Sequence, residues 1–101
     1  MTLEDFMDAV QKRLLTAPPL GARVQFDFGD DGKLFLDGRG PAPVVTLGDG
    51  GEAETGLKCS LATFQDILSG ALDPTMAYMM GKLKIQGSMG YALKLSNMLE
   101  D

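Results

Sequence analysis

The sequence predicts an α+β domain built on a five-stranded, mostly antiparallel sheet. Three observations carry this prediction. Apolar residues recur at helical spacing at both ends of the chain, and every second residue through the middle. Glycine-rich turns separate the segments. The 101 residues suit one compact domain, and no repeat, linker or low-complexity stretch divides them. Residues 1–101 therefore read as a single domain.

Each element has its own signal. Leu3, Phe6, Met7, Val10 and Leu14 share one face of a first helix, with Thr2 as N-cap and Asp5 three residues on. Glu4, Asp5 and Asp8 precede Lys12 and Arg13, the order a helix dipole favours, and Pro18-Pro19 ends the helix. Over residues 23–28 the period becomes two, with Val24, Phe26 and Phe28 on one face of a strand. Gly29-Asp30-Asp31-Gly32 has hairpin-turn chemistry, and Lys33–Asp37 is the returning strand. After a loop over residues 38–43, Val44–Leu47 forms a third strand and residues 48–51 a second tight turn. Residues 55–60 form a fourth strand, Leu57 and Cys59 on one face, Lys58 and Ser60 on the other. The four strands read as an antiparallel meander.

Helices then return. Ser60 caps a short one bearing Leu61, Phe64, Ile67 and Leu68, closed by Gly70. Asp73-Pro74 pairs an N-cap with proline at N1, the strongest start signal in the chain, for a helix over residues 75–80 that stops at Gly81. Residues 82–86 alternate as a fifth strand, and Gly87-Ser88 caps a last helix, Met89–Leu99.

Composition removes several functions. With no histidine and one cysteine there is no Ser-His-Asp triad, no Cys-His pair and no Cys/His zinc set, so no catalytic or metal site and no cofactor is expected. A lone cysteine forms no internal disulfide and calls for no oxidising compartment. Fourteen acids against nine bases, a net charge of −5, oppose nucleic-acid binding. No apolar run approaches the ~20 residues that span a bilayer. The start, Met1-Thr2-Leu3-Glu4-Asp5, is acidic where a signal peptide is basic, so a cytoplasmic location is expected.

Two features point toward an apolar ligand. The polar stripe of the last helix is narrow: Gly90, Lys94 and Asn97. Met89, Tyr91, Ala92, Leu93, Leu95, Met98 and Leu99 fill the rest, broken only by Ser96, an arc wider than the ~100° that packs on one sheet face. A third helix could cover the second side, or a partner or ligand could. Met76, Met79 and Met80 dominate the preceding helix, and methionine lines surfaces that repack around varied apolar shapes. Such a stripe also serves as ordinary core, and composition does not separate the two.

The run from Gly70 to Leu95 resembles the sterol carrier protein 2 domain family. It holds a glycine, an Asp-Pro pair (Asp73-Pro74), Ala77-Tyr78, then Gly81-Lys82-Leu83-Lys84-Ile85-Gln86-Gly87 and the helix Met89-Gly90-Tyr91-Ala92-Leu93-Lys94-Leu95. The order of elements across the chain is similar as well. The resemblance implies helices covering one sheet face, with an apolar tunnel between them for fatty acid, fatty acyl-CoA or a sterol-like lipid. The lining would be Val24, Phe26, Leu57 and Ile85 from the sheet, and Phe64, Leu68, Met76, Met79, Met80, Met89, Leu93 and Leu95 from the helices. It also implies a non-catalytic carrier, a monomer or weak homodimer making transient membrane or enzyme contacts. The alternative is an accessory interaction or dimerisation module beside a lipid-metabolising enzyme. Members often carry glutamine where this chain has Ser96, which puts head-group anchoring in question. The end, Met98-Leu99-Glu100-Asp101, lacks the Ser-Lys-Leu peroxisomal address, so a stand-alone, bacterial-type member is expected.

An empty tunnel of ~300 Å³ would cost ~7 kcal/mol at about 24 cal/mol per Å³. Domain stabilities are only ~5–15 kcal/mol, so the unliganded chain is expected to be partly collapsed. Three smaller features have competing readings. Lys58, Lys82 and Lys84 form either a docking patch for anionic lipid or CoA phosphate, or a solvated face. Residues 87–90 form a helix cap in preference to a phosphate cradle, and Asp27, Asp30 and Asp31 form a turn in preference to a calcium loop. Cys59, inward and without a base, reads as core.

Overall fold

The computed structural model describes residues 2–16 and 19–99. The proposed stop at Pro18-Pro19 therefore falls partly outside the described residues, as do Glu100 and Asp101. Helix α1, Leu3–Leu15, begins with a reciprocal capping box: Thr2 Oγ1 accepts from the Asp5 N–H, and the Asp5 carboxylate accepts from the Thr2 N–H. Strands β1 (Arg23–Asp27) and β2 (Lys33–Asp37) form the expected hairpin, joined by a 3-10 turn over Gly29–Asp31. Strand β3 is Val44–Leu47 and β4 is Thr55–Lys58. Helices α2 (Leu61–Leu68) and α3 (Pro74–Met79), strand β5 (Lys84–Gly87) and helix α4 (Met89–Leu99) complete the chain.

The strands do not form a meander. The sheet order is β3-β2-β1-β4-β5, and β4 pairs parallel to β1, with Phe26 beside Leu57. The other three pairings are antiparallel. The chain leaves β3 at one edge and crosses to the far side of β1. Outward side chains of β1 and β2 hold this crossover. Gln25 Nε2 donates to the Gly48 carbonyl at 3.2 Å, and Gln25 Oε1 accepts from the Gly50 N–H at 3.1 Å. Phe35 lies buried on the outer face against Gly50. At the end of the crossover Glu54 grips the guanidinium of Arg23 (Nη2 to Oε2, 2.9 Å) and accepts from its backbone N–H. Alternation reveals which residues share a face but carries no information on which strand is the neighbour.

The inner face and the helices share one core. Phe6 of α1, Phe26 of β1, Phe28 and Phe64 of α2 meet as four mutually contacting rings, with centroids 5.0 to 6.1 Å apart and mostly edge-to-face. Helix α4 packs on β4 and β5 and against α1, α2 and α3, and its buried residues Ala92, Leu95, Ser96 and Leu99 form a regular i, i+3, i+4, i+7 stripe.

Candidate functional site

The twelve residues proposed to line a tunnel divide into three groups. Val24, Phe26, Leu57, Phe64, Leu68 and Leu95 are buried together in the core. Ile85 and Leu93 are half-buried, and Ile85 packs against that core. Met76, Met79, Met80 and Met89 stand outside it, with 50%, 74%, 54% and 41% of their surface exposed. The resemblance assigns these four methionines to a tunnel lining, and in the structure they stand at the surface.

The reason is local. Helix α3 is only six residues long, and it seats itself through Pro74 and Ala77, an i, i+3 pair of small side chains. Asp73 Oδ1 caps it, accepting from the N–H groups of Thr75 and Met76 at 2.8 and 3.2 Å. The carbonyl of Ala77 accepts from the N–H groups of both Lys82 and Leu83, which turns the chain directly into β5. With Pro74 and Ala77 inward, Met76, Met79 and Met80, themselves at i, i+3 and i+4, share the opposite side. The sequence carries this signal in the Pro-x-x-Ala spacing, but alanine and methionine both read as apolar there. Tyr78 is exposed as well.

Helix α4 bears out its wide arc. One side is the core stripe, while Tyr91, Leu93 and Met98 are half-buried and Met89 is exposed. Helices α3 and α4 pack against each other, so two neighbouring helices both carry apolar side chains beyond the core. Ser96 is buried, and its hydroxyl donates to the Ala92 carbonyl at 3.0 Å. Ser88 acts as a cap, its Oγ accepting from the Tyr91 N–H at 3.3 Å. Asp27 likewise serves its turn, accepting from the Gly29 N–H at 2.9 Å.

The polar groups offer little chemistry. Burial pushes the Cys59 thiol up to about 12, against a hydrogen bond from the Phe64 N–H that pulls the other way. At neutral pH it is a protonated, apolar packing group. Lys58 and Lys84 are direct cross-strand partners on the outer face. Together with Lys82 they line an open groove of about 410 Å³ whose lining also includes Phe28, Asp30, Asp31 and Ser60.

Residues 3–100 match the model of the SCP-2 sterol transfer family. The chain belongs to this family. Its sequence is 38% identical over 71 residues to hydroxysteroid dehydrogenase-like protein 2 of Bos taurus, a match covering 69% of this chain and 17% of that protein. The SCP-2 chain thus spans about a sixth of the length of that relative. Among solved structures, the sec-alkylsulfatase Pisa1 from Pseudomonas sp. superposes with a TM-score of 0.86 at 20% identity, over 100% of this chain and 17% of that one. Palmitated SCP2L2 from Aedes aegypti superposes with a TM-score of 0.78 at 17% identity, over 100% of this chain and 96% of that one. At these identities the likeness establishes the fold.

Proposed function

We propose that this SCP-2 domain, residues 1–101, binds and carries lipids without catalysis, taking a long-chain fatty acid, fatty acyl-CoA or sterol-like ligand. The observation that carries the reading is the set of apolar side chains on α3 and α4 that the core does not use: Met76, Met79, Met80, Met89 and Leu93. They sit beside buried residues of the same core, so a lipid that parted α3 and α4 from the sheet would meet apolar walls on both sides. The dense packing of Val24, Phe26, Leu57 and Leu95 agrees with a site that closes on itself, since a permanent cavity is expensive. The palmitated Aedes aegypti relative supports an acyl chain as one ligand class. A cytoplasmic location belongs to the same proposal.

The test is extraction of freshly purified protein followed by mass spectrometry of the lipid fraction. A ligand at a hundred times its Kd adds about 2.7 kcal/mol, which raises Tm by roughly 10 °C or more in a domain of this size. No extracted lipid, together with an unmoved Tm across fatty acids, acyl-CoAs and sterols, refutes the carrier reading. A second reading is an accessory module for a lipid-metabolising enzyme. It is favoured by relatives in which this domain matches only 17% of a dehydrogenase-like protein and of an alkylsulfatase.

A further inference from the structure

We propose that strand β3 is the edge through which two copies of this chain join, antiparallel, about a two-fold axis at Thr46. The surface lies on the far side of the sheet from α3 and does not depend on the carrier reading.

Strand β3 ends the sheet on one side, with β2 as its neighbour. The Gly48 N–H donates to the Lys33 carbonyl at 2.9 Å, which marks these two residues as a hydrogen-bonded pair of the antiparallel ladder. Such pairs alternate along a ladder, so Phe35 with Thr46 and Asp37 with Val44 are the next ones. Val45 and Leu47 fall between them and turn their N–H and C=O groups to the open edge. Among the described residues no loop backbone bonds these groups.

The two edges of the sheet differ in chemistry. Strand β5 carries Lys84, with Lys82 just before it, and charge protects an edge from pairing. Strand β3 holds no charged residue, and its Val44 and Leu47 are 56% and 54% exposed. Pro43 has no N–H to offer, and Gly48 turns the chain away with a φ of 89°, so the open edge is short.

This edge is complementary to itself. With the axis at Thr46, Val45 of one copy stands opposite Leu47 of the other, and each such pair exchanges its N–H and C=O bonds. Every open backbone group of the two residues is then used. Val45 and Leu47 lie opposite the core residues Leu36 and Leu34, so both stand on the inner side of the sheet. Joining the edges sets the exposed Leu47 against the Val45 of the second copy and carries the apolar inner layer across the axis. Thr46 meets its own copy on the outer side, and facing threonines are a favourable cross-strand pair.

Charge order supports the same axis. Helix α1 rests on the core along its length, through Phe6, Val10 and Leu14, and packs against β3. An axis normal to the sheet reverses any element that lies along it, so the two copies of α1 run antiparallel beside the joint. The acidic first turn of one, at Glu4, then lies toward the basic last turn of the other, at Lys12.

Sedimentation velocity from about 1 µM to about 1 mM tests the proposal. A monomer is expected at low concentration and a dimer at high, because so short an edge builds an interface of the weak, transient class. Amide hydrogen exchange at Val45 and Leu47 should slow as the dimer forms, while exchange at Ile85 on the β5 edge should not change. L47P removes an N–H that the β2 ladder does not use, a place where edge strands accept proline. It should weaken the dimer about 25-fold, since it deletes one bond per copy and each contributes about fivefold. T46K sets two lysines face to face at the axis and should weaken the dimer about fivefold. An equimolar mixture of T46K with T46E should restore association as a heterodimer. Thr46 is exposed, so this pair of variants decides the matter even where L47P unfolds. Absence of any dimer at about 1 mM overturns the proposal. So does a dimer that T46K leaves unchanged, or one in which the Val45 and Leu47 amides stay unprotected.

Discussion

Gly50 lies flat against the ring of Phe35: a Cβ built on Gly50 would overlap that ring. The contact is made by the crossover that carries the chain from β3 to β4, so it sits at the point where the sheet departs from a meander. Its glycine is required by proximity, since Gly50 is not among the glycines with positive φ.

Replacing Gly50 with alanine should therefore destabilise the domain by about 1–3 kcal/mol, the usual range for a side chain forced into occupied space. The same substitution in an F35A background should cost much less, because the obstructing ring is gone. Urea denaturation of the two single variants and the double variant measures the coupling. Additive effects would place the crossover elsewhere.

Core and surface should respond in opposite ways. Phe64 is fully buried among three other rings, and F64A is expected to cost about 3–5 kcal/mol. Met79 is 74% exposed, and M79A should stay within about 0.5 kcal/mol. Equal losses in the two variants would mean that Met79 packs inside the protein in solution.

Acid should weaken the fold through Asp37. Its carboxylate accepts from Arg39 Nε at 3.0 Å, Arg39 Nη2 at 2.8 Å and the Arg39 N–H at 3.1 Å, which holds it down at about 2 instead of 3.8. The unfolded chain takes up the proton near 3.8 while the folded chain does not. The contribution is thus complete above that pH and disappears as pH falls toward 2. Glu54 is lowered too, chiefly by the Arg23 backbone N–H, and adds to the same slope. An NMR titration should place the Asp37 midpoint near 2, and R39A should move it up toward 3.8.

Cys59 should be silent to thiol reagents in the native state. Its raised value means that the folded protein keeps the proton from 9.0 to about 12 while the unfolded chain loses it, so stability falls as pH rises through that window. At pH ~8, an aromatic disulfide reagent should react only after urea unfolds the domain. Rapid native reaction would contradict the burial.

Much of the fold was legible. The capping box at Thr2 and Asp5, the Asp73-Pro74 start and the alternation through Val24 and Phe26 each depend on residues a few positions apart. Local steric and hydrogen-bond rules therefore specify them. The candidate site was legible in composition but not in placement. Methionine and alanine both read as apolar, and only packing shows that Ala77 faces inward while Met76, Met79 and Met80 face out.

The sequence by itself determined an α+β chain, its element boundaries to within two residues and the absence of histidine chemistry. These are properties of neighbouring residues or of composition. Tertiary structure decided that β4 lies parallel to β1, that a crossover seals Phe35 on the outer face, and that a short helix turns its methionines to the surface. Such outcomes depend on which surfaces compete for the same partner. That competition is settled by long-range packing, where a residue's neighbours in space are not its neighbours in the chain.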